Sequence, residues 1–83
     1  MNTQEKKDVT IIVNGQPHEV AKGKITYAAV VTLAYPDYPE HPERNYSVKY
    51  RRNESSKAEI LPKGGEVEVT DNMIFNVDPT GQS

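Results

Sequence analysis

Helical periodicity occurs once in this chain. Between Thr26 and Pro36, the residues Val30, Val31 and Ala34 recur at the spacing of one helix face, with Leu33 flanking them. The other apolar groups alternate at a period of two or form short runs. A chain with one helix and several strand-like stripes buries them most economically as a small sheet with the helix on one face. A ferredoxin-like plan needs a second full helix, and residues 57–65, with Pro62 and Gly64-Gly65, cannot supply it.

The strands follow from alternation and from their breakers. Val9-Thr10-Ile11-Ile12-Val13 is rich in β-branched residues, and Asn14-Gly15 offers the positive-φ pair that a tight hairpin prefers. His18-Glu19-Val20 is the returning strand, with Pro17 placed at an edge, and Lys22-Gly23-Lys24 breaks it. Thr26 is the expected helix N-cap, Ile25 and Val30 sit at the two positions of a hydrophobic staple, and Pro36 closes the helix. Residues 36–45, with Pro36, Pro39 and Pro42 among acidic side chains, read as an extended, solvated connection. In Tyr46-Ser47-Val48-Lys49-Tyr50-Arg51-Arg52, the residues Tyr46, Val48 and Tyr50 face inward while Ser47, Lys49 and Arg51 face water. A loop at 53–58, a short apolar contact at Ile60-Leu61 and a brief strand at Glu66-Val67-Glu68-Val69 lead to the turn Asp71-Asn72. The last strand places Met73, Phe75 and Val77 on one face, and Pro79 is expected to end its pairing. The expected core is Val9, Ile11, Val13, Val30, Leu33, Val48, Tyr50, Phe75 and Val77.

Composition narrows the function. Eighty-three residues with 35% hydrophobic content make one small domain, and a chain of this size buries only about 60% of the surface its unfolded form exposes. Without cysteine there is neither a disulfide framework nor a thiolate zinc site, and a reducing cytoplasm suits the chain. No apolar run approaches a membrane span, and the N-terminal residues lack the apolar segment of a signal peptide. A net charge of −2 gives no general attraction to nucleic acid or to membranes. Lys49, Arg51 and Arg52 around Tyr50 resemble an RNA-binding stripe, but an inward Tyr50 leaves only cations facing out. Asp37, Glu40, His41 and Glu43 are metal-ligand types whose spacing follows no helix or strand period, so the default is a polar loop and no cofactor is expected. His18 and His41 have no paired nucleophile, which argues against an enzyme.

The element order therefore points to an α+β fold with a mixed sheet of four to five strands and one helix packed on one face, and it permits a last strand parallel to the first. This is the plan of the β-grasp, or ubiquitin-like, fold. Residues 1–8 form a polar arm, 9–77 the domain and 78–83 a tail. The stretches Val9-Thr10-Ile11-Ile12-Val13-Asn14-Gly15, Ile25-Thr26-Tyr27, Tyr46-Ser47-Val48-Lys49-Tyr50-Arg51 and Met73-Ile74-Phe75-Asn76-Val77 resemble the bacterial multiubiquitin domain over residues 9–80. That resemblance implies a modifier encoded beside an adenylating (activating) enzyme, a conjugating-enzyme-like protein and a JAB-type metallopeptidase, with phage defence as one role for such a pathway. It implies that the tail Asp78-Pro79-Thr80-Gly81-Gln82-Ser83 is trimmed, activated with ATP and transferred to targets. The tail differs from that of eukaryotic ubiquitin, because Gly81 stands alone and Gln82-Ser83 follow it.

Two other roles fit a fold of this kind. One is a self-assembling structural protein, a homo-oligomer built through the tail or a sheet edge. The other is a sulfur carrier, but such proteins end on a Gly-Gly pair that is absent here. For a partner surface, alternation sends Ile12 and Ile74 outward side by side if the first and last strands are neighbours, with Lys49 and Arg51 framing them. The competing view is that isoleucine merely suits a strand.

Overall fold

A computed structural model describes residues 8–41 and 43–80. Strand β1 (Asp8–Val13) turns through Asn14 and Gly15, at φ 52° and 83°, into the antiparallel β2 (Gln16–Ala21). Both central turn residues thus take the left-handed conformation that matches strand twist in a two-residue hairpin. A three-residue strand, β3 (Lys24–Thr26), leads into helix α1 (Tyr27–Ala34). Thr26 caps the helix as expected, its Oγ1 accepting the Ala29 N–H at 3.1 Å. Then follow β4 (Tyr46–Arg51), β5 (Glu59–Ile60), β6 (Glu66–Glu68) and β7 (Met73–Pro79).

Five strands form one sheet in the order β2-β1-β7-β4-β5, and β3 pairs with β6 in a separate two-stranded ribbon. β1 and β7 are parallel, while β4 runs antiparallel to β7 and β5 to β4. With α1 across one face, this is the β-grasp arrangement that the element order predicts. β1 opens at Asp8, one residue earlier than expected, pairing it with Ala21; the rest of the expected N-terminal arm lies outside the described residues.

The core is the inward stripe of the sheet closed by the helix. Ile11, Val13, Val30, Val48, Phe75 and Val77 are buried as expected, whereas Val9, Leu33 and Tyr50 are half-buried at its margin. Sequence alone did not bring Tyr27, Val31, Leu61, Val69 and Met73 into the core list, yet all are buried. The main correction falls at residues 36–45. Tyr38–Glu40 forms a 3-10 turn that buries Tyr38, with its ring edge-on to Tyr27 at 6.3 Å and to Tyr46 at 5.6 Å. Burying an aromatic ring outweighs the solvation preference of the surrounding prolines and acids. The Tyr27 hydroxyl completes this end of the core by accepting the Tyr46 N–H at 2.8 Å and donating to the Tyr46 carbonyl at 3.1 Å.

A second correction concerns Pro79, which does not end the pairing. It lies opposite Tyr46, and the next residue continues the ladder, with Thr80 N–H donating to the Asn45 carbonyl at 3.1 Å. The N–H that proline lacks falls on the β1 side of β7. There Val77 N–H has already met Asn14 Oδ1, and the register of β1 with β7 stops at Val13–Phe75. No donor is missed on that side.

Candidate functional site

Two features of this sheet are the candidates for a site: the face that α1 leaves open and the strand end that leads into the tail. The open face is set by register. Ile12 lies opposite Ile74 in the parallel pair, Pro17 lies opposite Ile12, and Arg51 lies opposite Ile74, so four strands contribute one row. Directly opposed residues share a face and approach closely. The next row carries Asn76, Lys49 and Ile60, again by direct register.

Ile12, Ile74 and Arg51 are half-buried in this arrangement, Lys49 is exposed, and Ile60 is 69% exposed. The structure thus brings together Ile12, Ile74, Lys49 and Arg51, the four residues expected on a partner face. It adds Ile60, which in the sequence stands only as an apolar contact beside Leu61. Alternation could have separated that pair. Leu61 turns inward, its N–H donating to the Val48 carbonyl at 2.8 Å, and Ile60 is left outside beside Lys49. The result is a small apolar centre with a cationic border, which is the anatomy of a modest protein interface.

The tail root is held from both sides. On one flank, the Asn14 side chain acts as an extra rung of the sheet. Its Nδ2 donates to the Val77 carbonyl at 3.0 Å and its Oδ1 accepts Val77 N–H at 2.8 Å, while the Asn14 N–H donates to the Phe75 carbonyl at 3.0 Å. On the other flank Asp78 lies opposite Ser47, and both N–H and Oγ1 of Thr80 donate to the Asn45 carbonyl. Lys63 Nζ donates to Asn45 Oδ1 at 3.1 Å, fixing the residue that receives Thr80. Of the expected processing segment, Asp78, Pro79 and Thr80 are therefore part of an anchored strand end, and Gly81, Gln82 and Ser83 lie outside the described residues. Thr80 stands six residues beyond Ile74, or about 20 Å at the rise of an extended chain. Open face and tail root are thus two stations along one strand.

The histidines and the acidic loop residues do not converge on a metal site among the described residues. Among the described residues no group of three His, Cys, Asp or Glu side chains is placed to hold a metal ion. His41 Nδ1 is 3.8 Å from Glu43 Oε2, and Arg44 pairs with Asp37 at 3.4 Å, so the acidic loop residues are spread along local contacts. His18 is half-buried in β2 opposite Ile11. Tyr50 turns inward as expected, its ring 6.1 Å from that of Phe75, and its hydroxyl reaches Glu59 Oε1 at 3.3 Å. Burial, with the Glu59 carboxylate beside it, raises the Tyr50 phenol above its ordinary range. No helix among the described residues is long and apolar enough to cross a membrane.

The model of the multiubiquitin family matches residues 9–81. No curated protein and no solved structure matches the chain.

Proposed function

The chain belongs to the multiubiquitin family, and from that premise we propose that it is a bacterial, cytoplasmic protein modifier. In this reading a JAB-type peptidase trims the segment after β7, an adenylating enzyme activates the new end with ATP, and a conjugating-enzyme-like protein passes it to a target. The observation that carries the reading is the course of β7. This strand runs through the middle of the sheet between β1 and β4, so its end is positioned by Asn14 on one side and Asn45 on the other. A rigid stem lets an enzyme recognise the open face around Ile12 and Ile74 and receive the tail at a fixed offset along the same strand. The test is incubation of the full chain with the peptidase and the adenylating enzyme. A defined mass loss within residues 78–83, followed by ATP-dependent pyrophosphate exchange, is expected. An unchanged mass together with no exchange removes the proposal.

A second reading, self-assembly, is favoured by one observation. Ile60 is exposed on β5, the two-residue edge strand of the five-stranded sheet, and an apolar edge is a template for a second chain. Concentration-dependent sedimentation that Ile60→Ser abolishes would support it, and a monomer at all concentrations would exclude it.

A further inference from the structure

Three cations meet at the far end of β4, away from the tail. Arg51 closes the strand, Arg52 follows it, and Lys57 belongs to the turn that leads to β5. Together with Tyr50, Ser56 and Glu59 they line a cavity of about 260 Å³. Elsewhere Lys24 lies 3.9 Å from Glu66 and Arg44 3.4 Å from Asp37. Arg51, Arg52 and Lys57 enter no ion pair among the described residues. The carboxylate on the wall, Glu59, already receives the Tyr50 hydroxyl. Arg52 Nη1 makes one long bond of 3.4 Å to the Glu68 carbonyl, and Arg51 Nε is buried with no hydrogen-bond partner.

From this geometry we infer that the cavity binds a tetrahedral oxyanion, a phosphate group presented by a small anion or by a phosphorylated side chain. Three positive charges face one negative charge in a chain whose net charge is −2. The local excess calls for an anion of about two charges, which phosphate carries and a single carboxylate does not. The guanidinium forks and the ammonium are donors without acceptor capacity, so the occupant must be rich in acceptors. The cavity is smaller than the roughly 300–1,000 Å³ of a pocket that swallows a whole ligand, which suits a head group with the rest of its carrier outside. Its wall is set in advance: Asn53 Oδ1 accepts from Ser55 N–H at 2.8 Å and from Ser56 Oγ at 3.1 Å, shaping the turn before any ligand arrives.

The experiment is an amide chemical-shift titration of the full chain with inorganic phosphate, against chloride at matched ionic strength. Saturating shifts confined to Arg51, Arg52, Ser56 and Lys57 are expected, weakened at least fivefold in Lys57→Gln and in Arg52→Gln while the rest of the spectrum stays native. A parallel titration with a phosphoserine peptide and its unphosphorylated form identifies the carrier. Tighter binding of the phosphopeptide than of free phosphate assigns the site to a phosphorylated protein, and equal binding assigns it to the free anion. Shifts that fail to saturate, that spread equally to Lys22, Lys24 and Lys63, or that persist in Lys57→Gln overturn the inference. Acetate binding as tightly as phosphate overturns it as well.

Discussion

Ile11 and Ile12 are adjacent and chemically identical, yet Ile11 is fully buried on the face that α1 covers while Ile12 stays half-exposed on the other. The same split recurs on β7 between Phe75, which is buried, and Ile74, which is not. Alternation decides which side chain goes where, and α1 decides which side becomes a core. Apolar residues on the covered face hold the fold together. Those on the open face, Ile12 and Ile74, stay within reach of water.

Replacing one residue on each face of β7 is the strongest way to break this comparison. Phe75→Ala should cost about 3–5 kcal/mol, a large share of the stability of a small domain, because it opens a cavity beneath the helix. Ile74→Ala, one position along, should cost well under half as much, since water already reaches part of the side chain. Urea unfolding of both variants is the measurement. Equal losses would mean that both faces are structural.

The tyrosine end of the core makes the second test. The Tyr27 hydroxyl exchanges two hydrogen bonds with the backbone of Tyr46 inside the protein, and removing it leaves a buried N–H and carbonyl without that partner. Tyr27→Phe should lower stability by about 1–3 kcal/mol, with the ring packing retained. A melting temperature within a degree of the parent would show that water replaces the hydroxyl.

The open face should behave in the opposite way. Ile12→Ser combined with Ile74→Ser is expected to leave the chain folded and to weaken capture by the adenylating enzyme about tenfold, equivalent to ~1.4 kcal/mol. Surface plasmon resonance on the folded double variant measures it. Unchanged affinity would reduce the face to a consequence of strand composition.

Much of this was legible in the sequence because alternation is a local signal. Ile12 beside Ile74 follows once β1 and β7 are neighbours, and the element order permits their parallel pairing without dictating it. What stayed illegible depends on contacts distant in sequence. Tyr38 reads as part of a proline-rich loop until Tyr27 and Tyr46 are placed around it, 11 and 8 positions away. Asn14 announces a turn through its tolerance of positive φ, but its side chain as a rung on Val77 requires knowing that β7 lies alongside. Pro79 carries the general rule that proline ends a strand. The rule fails here because register turns its missing N–H away from β4. The oxyanion cavity needs the turn at 53–58 to fold Lys57 back toward Arg51 and Arg52, and no periodicity encodes that return.

The smallest expected effect lies where the two faces grade into each other. Tyr50 points to the covered side but sits at its margin, half-buried, with Glu59 at its hydroxyl. Its phenol is raised above the ordinary value near 10, first by burial and then by the Glu59 carboxylate, because both disfavour the phenolate. The folded state therefore holds this proton more tightly than the unfolded chain does. The resulting stability is fully present below the unfolded value and is lost as pH rises through the raised folded value, so the affected window begins near pH 10 and extends upward. Tyr50→Phe removes the titrating group while keeping the ring against Phe75, and its melting temperature should fall less steeply than that of the parent between pH 9.5 and 11. Tyr27, Tyr35, Tyr38 and Tyr46 remain in both proteins, so the difference between the two curves isolates position 50. Parallel curves would place the Tyr50 hydroxyl in open solvent and move the boundary between the faces inward to Val48.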